Sequence, residues 1–237
     1  MKKPTNIFLF FSMLCITGLT VMLSVFTAHG QKPHLNYQEI DAKFSEVWNT
    51  SVALRTTYSW YSRTDVIRDG DTVNVRIEKH ESDMDGRIIS QVISEKQAEL
   101  PSIILIRQLA EASKARLIAF MTGLKVYLEQ YALTNDSLRH TFFARAAIGV
   151  PDANGLLLVA GSNIIAKEDK LNWWIDTKNY SITKATIATS YDDTKVDFTA
   201  FYDYFPTGMN YLTRAEIRVP TKNLVVKLQF YDFKQKK

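Results

Sequence analysis

The stretch that decides the fold runs from residue 171 to residue 233 and reads LNWWIDTKNYSITKATIATSYDDTKVDFTAFYDYFPTGMNYLTRAEIRVPTKNLVVKLQFYDF. Five runs in this stretch alternate apolar with polar residues, and only short turns separate them. The runs cover residues 171–176, 180–190, 195–204, 212–219 and 224–233. Because turns this short join strands that pair with their neighbours in the chain, the stretch predicts an antiparallel meander.

The third run indicates that the sheet has one apolar face. Val196, Phe198, Ala200 and Tyr202 occupy alternate positions, and most residues between them are polar. Alternate residues of a strand point to the same side of the sheet, so these four share a face that has to be shielded from water. The helical segments are the candidates to cover that face. Whether they seal it or leave a cavity determines what the protein can bind.

The N-terminal segment is typical of a secretory signal peptide. It begins with Lys2 and Lys3, continues into a nearly unbroken apolar run over residues 7–26, and ends in small residues. We therefore predict cleavage after Gly30 and a mature chain of residues 31–237.

This segment has two other interpretations. An uncleaved membrane anchor is the main alternative, because an apolar run of about twenty residues is long enough to span a bilayer. A lipid anchor on Cys15 would need small residues directly before the cysteine. Leu14 is too large for that and lies inside the apolar run, so acylation is not expected.

The composition of the predicted mature chain excludes several classes of protein. It contains no cysteine, because Cys15 is the single cysteine of the sequence, so disulfides, thiolate zinc sites and cysteine nucleophiles are excluded. The whole sequence has 29 basic and 25 acidic residues, with Lys2 and Lys3 among the basic ones. This near balance leaves no basic stripe for nucleic acid. The length suits one core, so we predict a single domain over residues 31–237.

The part of the chain before the meander begins with a helix and three strands. Residues 37–50 carry apolar side chains at helical spacing, which predicts a helix with one apolar stripe. Alternating patterns then predict strands over residues 52–66, 73–78 and 88–94.

A second helical block opens at Pro101 and is apolar around much of its circumference. Gly123 is a possible break in this block, Asn135 is a helix cap, and residues 156–160 add one more strand. Strand runs and helix runs are therefore segregated, which predicts an α+β fold with an antiparallel sheet. Nine strands of this length curl strongly because sheets twist, and helices fill the resulting concave face.

Catalytic and metal-binding motifs are absent from the sequence. The histidines after residue 30 are His34, His80 and His140, and their separation is not that of metal ligands. Residues 83–86 lack the further oxygen ligands of a calcium loop, so we interpret His80 and the residues after it as a solvated turn. Hydrolase, phosphate-loop and zinc-peptidase motifs do not occur, and a hairpin turn would expose both Asp192 and Asp193. We expect no catalytic residue, no cofactor and no metal.

The first strand pair of the meander resembles that of the periplasmic lipoprotein carrier and outer-membrane lipoprotein receptor superfamily, the lipoprotein-localisation-factor-like proteins. The resemblance covers most of the chain by element order, and by motif the stretch 173–232. Its motif residues are Trp173, Trp174, Ile175, Asp176, Tyr180, Ile182, Lys184, Ala185, Asp192, Asp193, Pro206, Gly208, Arg218, Pro220, Tyr231 and Asp232. It implies a strongly curved antiparallel half-barrel with helices packed in its concave face, and an apolar cavity between them. It also implies a task of shielding acyl chains on their way to the outer membrane.

These observations lead to the hypothesis of an exported, noncatalytic carrier in the periplasm of a two-membraned bacterium. Its cargo would be a lipid or a lipoprotein acyl chain, and residues 103–124 would form a movable cover over the cavity. Inner- and outer-membrane proteins are its possible partners. The residues expected to line the cavity are Tyr58, Trp60, Ile77, Ile106, Leu109, Phe120, Leu124, Trp173, Val196, Phe198, Ile217 and Val226.

Two alternatives stay open. The first is an envelope protein-interaction module without a ligand cavity, in which the helical block or a sheet edge docks a partner. The second is an enzyme that uses scattered carboxylates and tyrosines in the same concavity, although the sequence offers no visible nucleophile or base. Bound lipid, a stable protein partner or measurable turnover would distinguish the three.

Overall fold

The structure, a computed structural model, describes residues 36–83, 87–98 and 104–236, with the backbone alone for residues 104–110. The predicted signal peptide, the helix opening at Pro101 and the turn residues 84–86 lie outside the described residues. The side chains of Ile106 and Leu109 also lie outside them.

The described residues form α-helices, strands and two short 3-10 turns. The helices are α1 (Tyr37–Arg55), α2 (Ile104–Glu129) and α3 (Asp136–Arg145), and the 3-10 turns are Gln130–Ala132 and Pro220–Lys222. The strands are β1 (Tyr58–Arg68), β2 (Asp71–Ser82), β3 (Ile88–Gln97), β4 (Ala147–Ile148), β5 (Leu156–Ser162), β6 (Lys170–Asp176), β7 (Ile182–Tyr191), β8 (Thr194–Tyr204), β9 (Asn210–Val219) and β10 (Leu224–Gln235).

All ten described strands belong to one open antiparallel sheet in the order β3-β2-β1-β10-β9-β8-β7-β6-β5-β4. The last strand of the chain thus pairs with the first, and the meander from β5 to β10 runs through the sheet strand by strand. This arrangement confirms the predicted α+β half-barrel class. The sequence did not predict β4, which is two residues long and forms one of the two edges.

The hairpin between β7 and β8 has the turn that the sequence predicts. Tyr191 pairs with Thr194, and the two residues between them, Asp192 and Asp193, have φ angles of 51° and 54°. A two-residue turn with positive φ at both positions matches the right-handed twist of the strands, and Asp tolerates that conformation. Both aspartates are exposed.

Helix α1 is longer than predicted and takes up residues 52–55, which the sequence pattern assigned to a strand. Asn36 caps its N-terminus, where its side chain accepts a hydrogen bond from the Gln38 N–H at 3.1 Å. At the other end the hydroxyls of Thr56 and Thr57 donate to the carbonyls of Ala53 and Leu54 at 2.7 and 2.8 Å. These hydrogen bonds stabilise the last helical turn, so residues 52–55 are helical instead of extended.

The helices pack on one face of the sheet, here called the inner face. Phe44 of α1 lies 5.1 Å from Trp173 of β6 between ring centroids, and Phe142 of α3 lies 4.9 Å from the same ring. Phe143 joins them, and all four side chains are at most 2 % exposed. Aromatic packing of this density fixes α1 and α3 on β5 and β6.

A second aromatic cluster lies where β9 and β10 separate. Their pairing begins at Val219 and Leu224 and ends at Arg214 and Gln229, although both strands continue. The end of α1 packs here, through Leu54. The cluster consists of Tyr58, Trp60 and Met209, with Leu54, Phe205, Tyr211, Phe230 and Phe233 packed against them.

Among the described helices, none combines the length and the apolar character that a membrane span requires.

Candidate functional site

The inner face of the central strands carries a continuous row of apolar side chains. Val66 of β1 pairs with Val226, Val226 with Ile217, and Ile217 with Phe198. Val226 and Ile217 are buried, whereas Phe198 is half-buried. Residues directly opposite each other in antiparallel strands have side chains on the same face, so this row is one surface. Part of it is accessible in the protein as it stands.

The row beside it has small side chains. Ala185, Ala200 and Ala215 lie opposite one another on β7, β8 and β9, and Leu228 extends the row onto β10. The three alanines are at most 5 % exposed, and Leu228 is half-buried. Small residues leave more depth above the sheet than the valine and phenylalanine row does.

Helix α2 is attached at its C-terminal end by a network of hydroxyl groups. The Tyr127 hydroxyl lies 2.9 Å from the Thr189 hydroxyl on β7, and the Tyr131 hydroxyl of the following 3-10 turn lies 2.9 Å from the same group. Tyr131 also donates to Asp169 at 2.8 Å. Leu124 and Leu128, on the same side of the helix, are buried.

The Asp169 carboxylate is the centre of this attachment. It is 1 % exposed and accepts hydrogen bonds from the backbone N–H groups of Ile164, Ile165 and Ala166 at 2.7 to 2.8 Å. Burial by itself raises its pKa, but these donors and Tyr131 together hold the pKa of Asp169 below its ordinary value. Burial and the nearby carboxylate raise the pKa of Tyr131, which therefore remains a hydroxyl donor.

The middle of α2 rests on Tyr191 at the end of β7. A Cβ atom at Gly123 would overlap the Tyr191 hydroxyl, so the glycine allows the helix to approach this ring. Phe120 contacts the same ring at 5.5 Å, and the Lys222 ammonium lies 4.6 Å from the Phe120 centroid. The predicted break at Gly123 was wrong, since α2 continues through it, and close packing is the reason for the glycine.

An open groove of about 470 Å³ adjoins this contact. It is lined by Arg116, Ala119, Phe120, Tyr191 and Asp192. Its lining is mixed, with slightly more apolar than polar surface, and it includes none of the four residues of the apolar row.

Hydrogen bonds also join the first half of α2 to the sheet. Among the described side chains, Arg68 on β1 donates to the Ser113 hydroxyl at 3.2 Å, and Lys114 donates to Gln97 at the end of β3. Ile118 and Val126 face solvent and are 55 % and 58 % exposed. The helix is therefore apolar on an exposed side as well as on its buried side, as its sequence indicated.

The structure brings together five of the side chains predicted to line a cavity. Val196, Phe198, Ile217 and Val226 lie on the inner face of three neighbouring strands, and Phe120 lies on α2 near the ends of those strands. Leu124 is completely buried in the same helix.

Three other predicted residues belong to the aromatic clusters. Tyr58 stacks on Phe205 at 5.6 Å, and Trp60 stacks on Phe233 at 5.8 Å. Trp173 belongs to the cluster that holds α1 and α3. These rings are already covered by protein, so their principal role here is packing.

Ile77 lies on the opposite face of the sheet from the other predicted residues on strands. Its partner on β1 is the exposed Arg63, whereas the inner face at this point carries Ser62 and Trp60. The alternation of Val73, Val75 and Ile77 correctly predicted that β2 is a strand. It did not predict that these apolar side chains lie on the outer face of the sheet. On β2 the inner face is polar, with Arg76 and His80.

His80 is not in a solvated turn, which corrects the interpretation from sequence. It lies within β2, is 8 % exposed and stacks on Trp60 at 5.7 Å. Its ring nitrogens lie 2.7 Å from the Ser62 hydroxyl and 2.8 Å from the Ser90 hydroxyl. Burial lowers the pKa of His80. No group of three metal-ligating side chains occurs among the described residues.

Sequence reasoning missed a polar pair at the end of α1. Arg55 is the last residue of this helix, and Tyr202 lies on the inner face of β8 opposite Leu212. Both are half-buried and interact electrostatically. Burial lowers the pKa of Arg55 and raises the pKa of Tyr202 to about 12. The sequence pattern placed Tyr202 on the apolar face of residues 195–204. No local sequence pattern predicts that Arg55 lies near it.

Comparison with known proteins yields distant structural neighbours. No family model and no curated protein matches the sequence. Among solved structures, a DUF1329 family protein from Desulfovibrio piger matches with 9 % identity and a TM-score of 0.40, covering 83 % of this chain and 92 % of that one. A LolA superfamily protein from Nitrosomonas europaea matches with 11 % identity and a TM-score of 0.35, covering 81 % of this chain and 93 % of that one.

Proposed function

We propose that this protein is an exported, noncatalytic carrier that binds the acyl chains of lipids or lipoproteins between the inner face of the sheet and α2. The observation that carries the proposal is the apolar row Val66, Val226, Ile217 and Phe198, in which Phe198 is half-buried. Each methylene moved from water to such a surface contributes about 0.8 kcal/mol. A long acyl chain therefore binds without specific polar contacts.

The way α2 is attached supports a cover that opens. Its C-terminal end is fixed by the buried Asp169 and the hydroxyls of Tyr131 and Thr189. Its first half is joined to the sheet, among the described side chains, by hydrogen bonds from Arg68 and Lys114. Single hydrogen bonds of this kind each contribute about 1 kcal/mol, so they are exchanged for water more readily than a packed core is opened.

The proposed location is the periplasm, with residues 1–30 as a signal peptide and residues 31–237 as one carrier domain. Support comes from the charged and apolar pattern of residues 2–26. In this location the carrier would serve the sorting of lipoproteins or lipids to the outer membrane. Its partners would be inner- and outer-membrane proteins that deliver and accept the cargo.

The decisive experiment is native mass spectrometry, with lipid extraction, of the protein expressed with its own N-terminal segment. We expect a bound amphiphile that is released on denaturation. Phe198→Asp is expected to lower the bound fraction at least tenfold, because it places a charge in the apolar row.

Phe201→Asp is the matched control for this substitution. Phe201 lies three residues further along β8, is also half-buried, and faces the other side of the sheet, where Arg214 lies 4.2 Å from its ring. A carrier that binds along the inner face keeps its lipid in this variant. Equal lipid loading of folded Phe198→Asp and wild-type protein would refute the proposal.

A second candidate function is an envelope protein-interaction module without a ligand. The observation that favours it is strand β3, which forms an edge of the sheet and exposes Ile88, Ile89, Val92 and Ile93 by 44 % to 60 %. An exposed edge pairs readily with an extended segment of a partner protein. A protein that is free of lipid and takes up no fluorescent fatty acid would favour this function over the carrier.

A further inference from the structure

Arg55 places a positive charge at the inner face of the sheet without a matching negative charge. Within the described residues its guanidinium has no ion pair and no hydrogen bond, although Arg63, Arg76 and Arg218 each pair with a carboxylate. Taking a guanidinium partly out of water is costly unless a charge or hydrogen-bond acceptor replaces the water.

Tyr202 directs a second donor to the same place. Its side chain lies on the inner face of β8, in line with Ala200 and Phe198, and its hydroxyl has no hydrogen-bond partner within the described residues. A tyrosine hydroxyl keeps its proton across the physiological pH range, and burial raises the pKa of Tyr202 further. A cation and a neutral O–H donor therefore meet beside Leu212, on the inner face that carries Ala200 and Phe198 further along β8.

We propose that Arg55 and Tyr202 bind the anionic headgroup of an acidic amphiphile, a carboxylate or a phosphate, whose acyl chain lies along the apolar row. This inference rests on the proposed carrier function and adds the class of cargo to it. Guanidinium groups bind both headgroups through paired N–H donors, and the tyrosine hydroxyl supplies a further donor to the same oxygen atoms. A neutral headgroup would leave the arginine without its counter-charge.

The position of Arg55 also has an explanation that involves no ligand. A basic residue in the last turn of a helix interacts favourably with the helix dipole. Arg145 provides the comparison, because it is the last residue of α3 and is exposed. Both arginines gain from their helix ends, but Arg55 alone of the two lies beside Tyr202.

The test measures dissociation constants for three probes with the same sixteen-carbon chain: hexadecanoate, hexadecyl phosphate and hexadecan-1-ol. Each displaces the neutral dye N-phenyl-1-naphthylamine from delipidated full-length protein at neutral pH. We expect wild-type protein to bind an anionic probe at least tenfold more tightly than the alcohol, which corresponds to about 1.4 kcal/mol. The tighter of the two anions identifies the headgroup.

Arg55→Met keeps the length of the side chain and removes its charge. It is expected to abolish the preference for the anion while leaving the affinity for the alcohol within about twofold, and Arg55→Lys is expected to restore part of the preference. Tyr202→Phe removes the hydroxyl alone and should weaken anion binding several-fold. Arg145→Met should change neither affinity. Circular dichroism identifies the variants that fold.

The outcomes distinguish a failure of the headgroup site from a failure of the carrier function. Equal preference for the anion in wild-type and folded Arg55→Met protein would overturn the headgroup site and leave the carrier intact. The same holds if wild-type protein binds the alcohol as tightly as both anions. If neither the dye nor any of the three probes binds wild-type protein, the carrier function itself fails.

Discussion

At the scale of single residues, Asp169 fixes the C-terminal end of α2 through the Tyr131 hydroxyl. Its carboxylate satisfies three backbone N–H groups of its own loop and the Tyr131 hydroxyl, while 1 % of the residue is exposed. The loop between β5 and β6 and the end of α2 are therefore tied to one buried charge.

The lowered pKa of Asp169 makes this attachment depend on pH. Because the folded-state pKa lies below the unfolded-state value of about 3.9, its contribution to stability is complete above about pH 5 and is lost as the pH falls through the folded-state pKa. Asp169→Asn is expected to reduce the free energy of unfolding by about 2–4 kcal/mol at pH 7, since one of its two side-chain groups donates where an acceptor is needed.

Urea unfolding between pH 7 and pH 2.5 measures both effects. The stability of wild-type protein should decline more steeply below pH 5 than that of Asp169→Asn. Asp152→Asn is the control, because backbone N–H groups of Leu156 and Asn154 also lower the pKa of Asp152, but in an exposed turn, where solvent screening weakens the effect, so its acid profile should differ less from that of wild-type protein. Parallel acid profiles for wild-type protein and Asp169→Asn would show that the buried carboxylate has no such role.

Among the secondary-structure elements, α2 has a contact with the sheet that depends on a missing side chain. Gly123 lies in the helix interior, where glycine costs about 1 kcal/mol relative to alanine. Glycine is nevertheless present here because Tyr191 occupies the space that a Cβ atom would need.

This explanation predicts a change that depends on the partner residue. In the Tyr191→Ala background, Gly123→Ala should raise the free energy of unfolding by about 1 kcal/mol, which is the gain in helix propensity alone. In the presence of Tyr191 the same substitution should give no gain or a loss, because the ring or the helix has to move. A double-mutant cycle by urea denaturation measures the coupling between the two positions. Equal effects in both backgrounds would mean that the ring has room to move away freely.

The individual elements also show where sequence reasoning succeeds and where it stops. The alternation in residues 195–204 gave both the existence of β8 and its buried face, because the strand is central and covered on one side. The same reasoning misplaced Ile77, since β2 has a polar inner face and Val75 and Ile77 lie on the outer one. Alternation of apolar and polar residues shows that a segment is a strand. It shows which face of the strand is buried only where the polar face is exposed to water.

For the whole molecule, the order of strand and helix runs was enough to predict an open antiparallel α+β sheet, and the structure confirms it. The candidate site was predicted less completely. Val196, Phe198, Ile217 and Val226 come together on the inner face because the meander pairs strand by strand. Arg55 reaches Tyr202 through the path of α1 over the sheet, and no local sequence pattern encodes that path.

An open sheet has two edges, and here the two differ greatly. The β4 edge is two residues long, whereas β3 presents ten exposed residues and four large aliphatic side chains. Natural edge strands are commonly protected by charges or short length, and β3 has neither over residues 88–94. We therefore expect the protein to self-associate at high concentration through antiparallel pairing of β3 with β3 of a second copy.

Sedimentation velocity over a range of protein concentrations tests this expectation. The double substitution Ile89→Lys and Val92→Lys puts a charge on each face of β3, and it should lower the self-association constant at least tenfold because like charges meet across the new pair. Ile118→Lys with Val126→Lys is the matched control, since these side chains on α2 are exposed by 55 % and 58 %. If the two double variants weaken association equally, the cause is exposed apolar surface in general. A wild-type protein that stays monomeric throughout means that β3 does not pair with itself.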